Sequence, residues 1–281
     1  MGHERRHLRC LCGACDWRPV FRYTEPPEGE VRFSSVPAQG YDREVLRCPV
    51  CGHFVSRASL DLAALYGADY ANSTYGGDLR PTYDRIMGLP VERSDNRGRV
   101  ASLRAFWRAL HDGHASPDSP RLLDVGSGLA VFPALMKEAG WQCTALDPDP
   151  RFVAHARTVA GVEGVCADFM RADDLGVFDL ITLNKVLEHV EDPSPMLARC
   201  LRFLAPGGLV YLELPDGETA AGGGPGREEF FIEHYHIFSA ASLALLAMSS
   251  GFALLRLERL REPSGKYTLR AFLRPAPEAK P

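Results

Sequence analysis

From Arg121 onward the chain alternates between short apolar runs and longer amphipathic stretches. "RLLDV" (121–125) is an apolar run closed by an acid and a valine, which predicts a buried strand. "VFPALMKEAG" predicts a helix ended by Gly140, "WQCTALD" a second strand, and "RFVAHARTVAG" a second helix. A third strand follows in "VEGVCADF" and a fourth in "FDLITLN". "PMLARCLRFLAPGG" predicts a helix stopped by Pro206-Gly207-Gly208, "LVYLEL" a fifth strand, and "AASLALLAMSSG" a helix. Such alternation implies an α/β fold with a doubly wound parallel sheet. The last stretch, "FALLRLERLREPSGKYTLRAFLR", reads as two strands around a Pro-Ser-Gly turn. The turn leaves no room for a crossover helix, so this pair must be antiparallel.

The first 120 residues have a different texture. Residues 1–60 are short strand-like pieces broken by proline and glycine, with no periodic face able to build a core alone. Residues 61–117 read as helical and aromatic-rich. "VASLRAFWRAL" places Val100, Leu103, Phe106, Trp107 and Leu110 on one helical face. "HDGHASPDSP" is a polar linker, and the third segment runs over 118–281.

The net charge of -4 disfavours a protein that grips nucleic acid mainly by charge. No run is long and apolar enough to predict a membrane span. "MGHERRHLRC" lacks the apolar core of a secretory signal, so a cytoplasmic location is expected.

The eight cysteines are unevenly spread, with five before position 52. Cys12-x-x-Cys15 and Cys48-x-x-Cys51 form two knuckles of the kind that hold a structural tetrahedral zinc ion. Cys10 and His53 are spare candidates, and Cys10 could replace Cys12, because "CLCGAC" offers two registers. The competing reading is a set of free or redox-active thiols. A segment this poor in core residues needs a staple, which favours zinc.

The first predicted strand runs into Gly126 and Gly128, at the turn where open α/β sheets bind ligands. Glycine there permits positive φ and close backbone approach. Val131 stands where a dinucleotide fingerprint would carry its third glycine, which disfavours a hydride-transfer cofactor. Asp124 would repel a pyrophosphate but could hold a cationic amine. Asp147, ending the second strand, could accept both hydroxyls of a ribose, and Asp168, at the end of the third, could accept an adenine amine. Three acids at consecutive strand ends suit S-adenosylmethionine (SAM).

On these motifs, "LLDVGSGLAVF", "TALDPDP", "CADF", "FDLITLNKVLEHVEDP" and "LAPGG", residues 120–274 resemble a class I SAM-dependent methyltransferase. The resemblance implies a Rossmann-like seven-stranded sheet ending in an antiparallel pair. It implies a cofactor site lined by Asp124, Gly126, Gly128, Asp147, Asp168 and Asn184. The sequence departs from the pattern at Ala130, where many members carry glycine. With the zinc knuckles and the aromatic connector, the chain resembles small-molecule and sugar methyltransferases that carry an N-terminal zinc-binding domain. The expected reaction is O- or C-methylation of a sugar-like or secondary metabolite. An RNA methyltransferase with a zinc-containing recognition domain and a non-catalytic scaffold are the alternatives.

Methyl transfer from a sulfonium needs alignment and often a base. "FIEHYHIFS" offers His234 and His236, and "LEHVED" offers His189. Asn184 is followed by Lys185-Val186 and not by Pro-Pro-aromatic, which disfavours methylation of a planar amine or amide. Tyr70 and Tyr75, in a glycine-rich stretch, are candidate lid residues over the acceptor.

Overall fold

The computed structural model describes residues 9–31, 41–58, 78–112 and 117–277. The candidate lid residues Tyr70 and Tyr75 lie outside them. The strands are β1 (Arg18–Tyr23), β2 (Arg43–Arg47), β3 (Phe54–Ala58), β4 (Arg121–Val125), β5 (Gln142–Asp147), β6 (Glu163–Cys166), β7 (Phe178–Asn184), β8 (Leu204–Pro215), β9 (His236–Ile237), β10 (Phe252–Arg261) and β11 (Tyr267–Pro275). They form two sheets. The larger has the order β10-β11-β8-β7-β4-β5-β6 and the smaller the order β1-β2-β3-β9.

The larger sheet is the α/β, doubly wound sheet that the alternation predicts. β4, β5, β6, β7 and β8 pair in parallel, while β11 pairs antiparallel with both β8 and β10. Its central strands are buried on both faces, as the unbroken apolar runs require. One layer of core forms around Leu122, Phe132, Met136 and Trp107, and the opposite layer around Leu123, Ile181, Leu212 and Leu246.

Two local readings change. The helix before β8 ends at Phe203, and β8 starts at Leu204, so "LAPGG" enters the sheet instead of finishing the helix. Leu204 pairs with Phe178, and the register then shifts to accommodate the glycines. On the helix Asp95–Leu110 the buried face is Arg99, Val100, Leu103 and Trp107, while Leu110 is exposed. The stripe is therefore one turn nearer the N-terminus than the apolar residues suggested. Arg99 joins it because Glu213, in the central strand β8, neutralises it.

The small sheet is not self-contained. β3 pairs with β9, which the chain supplies only after β8. Phe54 and Phe230, with Ile232 and Ile237, share one core with Tyr23 and Tyr41. The absence of an apolar face in the first 60 residues has its explanation here: their core is completed by residues 230–237. Among the described residues no helix is long and apolar enough to cross a membrane.

Candidate active site and thiol cluster

A cleft of about 1050 Å³ opens at the carboxyl ends of β4, β5 and β7. The sheet reverses its direction of winding at this point. Asp124, Gly126, Gly128, Asp147, Asp168 and Asn184 all line it, as do His189 and His234.

The turn after β4 explains its glycines. Gly126 has φ +67, and a Cβ there would come within 2.9 Å of the Val186 side chain. Gly128 has φ +50, and a Cβ there would meet open space. Its amide donates to Asp147 Oδ2 at 3.0 Å, which ties the turn to β5. Ala130 takes φ +55, the left-handed conformation glycine prefers, at a cost of about 1 kcal/mol.

Asp124 is buried, and its Oδ1 accepts from Thr182 Oγ1 at 2.6 Å and from Asn184 Nδ2 at 2.8 Å. Burial pushes its carboxyl above the usual range against these bonds. Asn184 Oδ1 is buried without a hydrogen-bond partner. It lines the cleft, so a polar ligand would satisfy it. Burial raises Asp147 to about 6, opposed by amide donation from Asp149 and Gly128. Asp168 is exposed; its Oδ1 accepts from the Met170 amide at 2.9 Å, and it pairs with Arg171 at 3.4 Å.

At the other end of the cleft, His189 Nδ1 lies 3.0 Å from the Glu233 carbonyl and His234 Nδ1 lies 2.8 Å from the Glu229 carbonyl. A carbonyl only accepts, so both rings carry their proton on Nδ1 and the lone pair on Nε2. Burial lowers His189 to about 4 and His234 well below the usual histidine value, so both are neutral at pH 7. Glu188 is 1% exposed, and its Oε2 has no hydrogen-bond partner. Burial pushes its carboxyl up to about 7. One polar atom from each of Glu188, His189 and His234 lies within 4.8 Å of the others. The positive charges of Lys185 and Lys266 bear on both rings. Lys185 itself has φ +59, and its Nζ donates to Thr268 Oγ1 at 2.7 Å.

His236 does not join this group. Its Nε2 donates to the Glu191 carbonyl at 3.0 Å, which leaves Nδ1 to accept from His53 Nε2 at 3.0 Å. With both nitrogens engaged and the ring outside the cleft, the expectation of a catalytic His236 is corrected. Alternation along β9 is the reason: its side chain points the other way from Ile237, into the seam with β3.

The thiols that converge are Cys10, Cys12, Cys48 and Cys51. Cys10 and Cys51 sulfurs are 3.3 Å apart, and Cys12 and Cys48 sulfurs 3.6 Å. A tetrahedral zinc site with bonds of about 2.3 Å would set its sulfurs about 3.8 Å apart, close to this spacing. Cys15 is exposed and stands outside the cluster, which corrects the first knuckle. Gly13, at φ +84, donates to the Cys10 carbonyl, and the Cys10 amide donates to Ala14. This tight turn brings Cys10 and Cys12 inward and leaves Cys15 on the exit to β1. His53, the other spare candidate, is buried in its bonds to His236 and Ser242.

Two residues of the cleft escaped the sequence reading. Glu188 was visible only as the neighbour of His189. Arg99 is buried, pairs with Glu213, and keeps an Nε without a partner. Its one signal was a charge inside an apolar helical stripe.

The cleft lies at the switch point of an α/β sheet and is ringed by strand-end acids, the place where open sheets of this kind bind their ligands. The chain belongs to the family described as Methyltransferase domain, which matches residues 94–257. It is 30% identical over 150 residues to the ubiquinone biosynthesis O-methyltransferase of Caulobacter sp. (strain K31), covering 46% of this chain and 60% of that one. It is 35% identical over 112 residues to the protein of that name from Xanthomonas axonopodis pv. citri (strain 306), covering 37% and 47%. The match thus spans less than two thirds of either relative. The fold is similar to that of the Burkholderia thailandensis 1,6-didemethyltoxoflavin-N1-methyltransferase, solved with 1,6-didemethyltoxoflavin and S-adenosylhomocysteine. The TM-score is 0.57 at 22% identity, covering 89% of this chain and 100% of that one. The magnesium protoporphyrin IX methyltransferase of Synechocystis PCC 6803 gives a TM-score of 0.55 at 18% identity, covering 76% and 99%.

Proposed function

We propose that the chain is a SAM-dependent methyltransferase that methylates an oxygen or carbon of a small-molecule acceptor, and that Cys10, Cys12, Cys48 and Cys51 hold a structural zinc ion. The observation that carries the reading is the set of three acids at the ends of β4, β5 and the β6 turn, around the glycine turn. Asp147 suits the ribose hydroxyls, Asp168 the adenine amine, and Asp124 with Asn184 the amino-acid end. Arg99 Nε, buried and unpartnered, suits the cofactor carboxylate. When bound, SAM supplies an electrophilic methyl group.

The chain's own residues supply the rest. The cleft holds the acceptor beside the cofactor and aligns it. His234 Nε2 takes the acceptor's proton, with its ring fixed by the Nδ1 bond to Glu229. The ionised Glu188 carboxylate, within 4.8 Å of the ring nitrogen, stabilises the imidazolium by its negative charge. The ubiquinone O-methyltransferases support an oxygen acceptor on a small molecule.

Calorimetric titration of the zinc-loaded chain with SAM, repeated with Asp147→Ala, tests the reading. Micromolar-range binding lost in the variant is expected. A folded chain that does not bind SAM would refute it and favour a scaffold.

A further inference from the structure

Residues 230–235 carry His234 but contribute little regular structure of their own. Their backbone is held from two sides. On the N-terminal side, Arg43 Nη1 donates to the Phe230 carbonyl at 2.6 Å. Glu30 Oε1 accepts from the Ile232 amide at 2.7 Å. The Ser56 amide donates to the Tyr235 carbonyl at 3.0 Å. On the cleft side, the Tyr235 amide donates to the Glu188 carbonyl at 2.8 Å. Between these anchors the His234 amide donates to Phe231, and its ring donates to Glu229.

Arg43 and Glu30 form a buried pair, each side chain 1% exposed. Tyr41 ties them together: its hydroxyl donates to Glu30 Oε2 at 2.8 Å and accepts from Arg43 Nε at 2.9 Å. The guanidinium lies 4.1 Å from the Tyr23 ring centroid. An apolar pair could fill this volume, but it could not donate to one main-chain group and accept from another two residues along. The pair thus fixes the register of the segment, and the fork of the arginine and the carboxylate are both used for it.

We propose that the Glu30–Arg43 pair of the N-terminal module is a positioning device for His234, so that this module is part of the catalytic machinery and not only a fold-stabilising appendage. This rests on the reading of His234 as the base. Which imidazole nitrogen carries the proton is set by the bond the other makes. If the Phe230 and Ile232 anchors slip, the Nδ1 bond to Glu229 lengthens and the ring samples the other tautomer.

The test uses the zinc-loaded full chain labelled with ¹⁵N-histidine, as wild type, Arg43→Met and the gentler Arg43→Lys. Arg43→Lys keeps the charge but cannot span Phe230, Tyr41 and Glu30 together. The readouts are the His234 ring ¹⁵N shifts, SAM affinity, and kcat with an acceptor found by screening. The expected result is a wild-type His234 protonated at Nδ1. Both variants would average towards the second tautomer, with Arg43→Lys less affected. kcat would fall at least tenfold, and SAM Kd would change less than threefold. A folded Arg43→Lys or Arg43→Met with unchanged His234 shifts and kcat within twofold would overturn the proposal. A His234→Ala chain that keeps its kcat, while Arg43 variants still move the His234 shifts of the otherwise native chain, would reject the base and leave the positioning intact.

Discussion

Asp147 makes the cofactor reading answerable to pH. Its carboxyl sits at about 6 because burial opposes ionisation more strongly than two amide donors favour it. Only the ionised form can accept two ribose hydroxyls. SAM affinity should therefore be full above pH 7 and fall about tenfold per pH unit once the pH drops well below 6, since each bound cofactor must displace one proton. Calorimetry between pH 5 and 8 reads this, and a flat profile would mean that Asp147 does not meet the ribose. Glu188 gives a second limb. Burial holds it at about 7, so its charge is lost as pH falls through that value, and with it the support for an imidazolium on His234. Methyl transfer should fall below pH 7 in the wild type, and Glu188→Gln should be slow at every pH without that limb. Gly126→Ala should abolish cofactor binding in a folded chain. A Cβ there must displace Val186 from the turn, and the residue must also hold φ +67.

At the level of elements, the seven-stranded sheet was legible because its strands are short apolar runs separated by amphipathic ones, and each strand-end acid falls where the run stops. Legibility failed where a residue's environment comes from a distant partner. Arg99 belongs on the buried face only because Glu213 lies beneath it, more than a hundred residues along the chain. His236 looked like a candidate base until β9 turned it toward His53. In "CLCGAC" the spacing favoured Cys12 with Cys15 and offered Cys10 in place of Cys12, whereas the turn at Gly13 brings Cys10 and Cys12 together. The Arg99–Glu213–Arg270 group docks the helix Asp95–Leu110 onto β8 and β11. Burial would raise the Glu213 carboxyl, but the two guanidinium groups pull it down to about 2. Its stabilising contribution is thus complete above the unfolded value near 4.3 and is lost as pH falls through about 2. Glu213→Gln takes from buried Arg99 its paired carboxylate and leaves Arg270 only the longer pairings to Glu258 and Glu262, and should cost about 3–5 kcal/mol in denaturant unfolding at pH 7. A loss below about 1 kcal/mol would show that water reaches the pair.

The whole molecule is one folding problem, because the small sheet borrows β9 from the chain that follows the large one. The thiol cluster closes the far end of that sheet. Cys51 ends its knuckle with a carbonyl that accepts from Ser239 Oγ, and Ser239 caps the helix Ala240–Ser249 through a reciprocal bond with Ser242. A bound ion would therefore brace the helix start as well as the first strands, and its loss should be felt in both sheets. The expected stoichiometry is one zinc per chain. Cys10→Ser should lose the ion and lower the thermal midpoint, whereas Cys15→Ser should keep both, since its sulfur is exposed and outside the cluster. Metal analysis with thermal unfolding distinguishes these outcomes. If Cys15→Ser released the ion and Cys10→Ser did not, the first knuckle would be the C-x-x-C of the sequence, and the turn at Gly13 would have to open to admit it. Chelation should further reduce the order of residues 230–239, because Cys51 and His53 flank the contacts that seat β9. Hydrogen exchange at Ile232 and Ile237, measured before and after zinc removal, would register that loss directly; unchanged protection would confine the ion's influence to the knuckles.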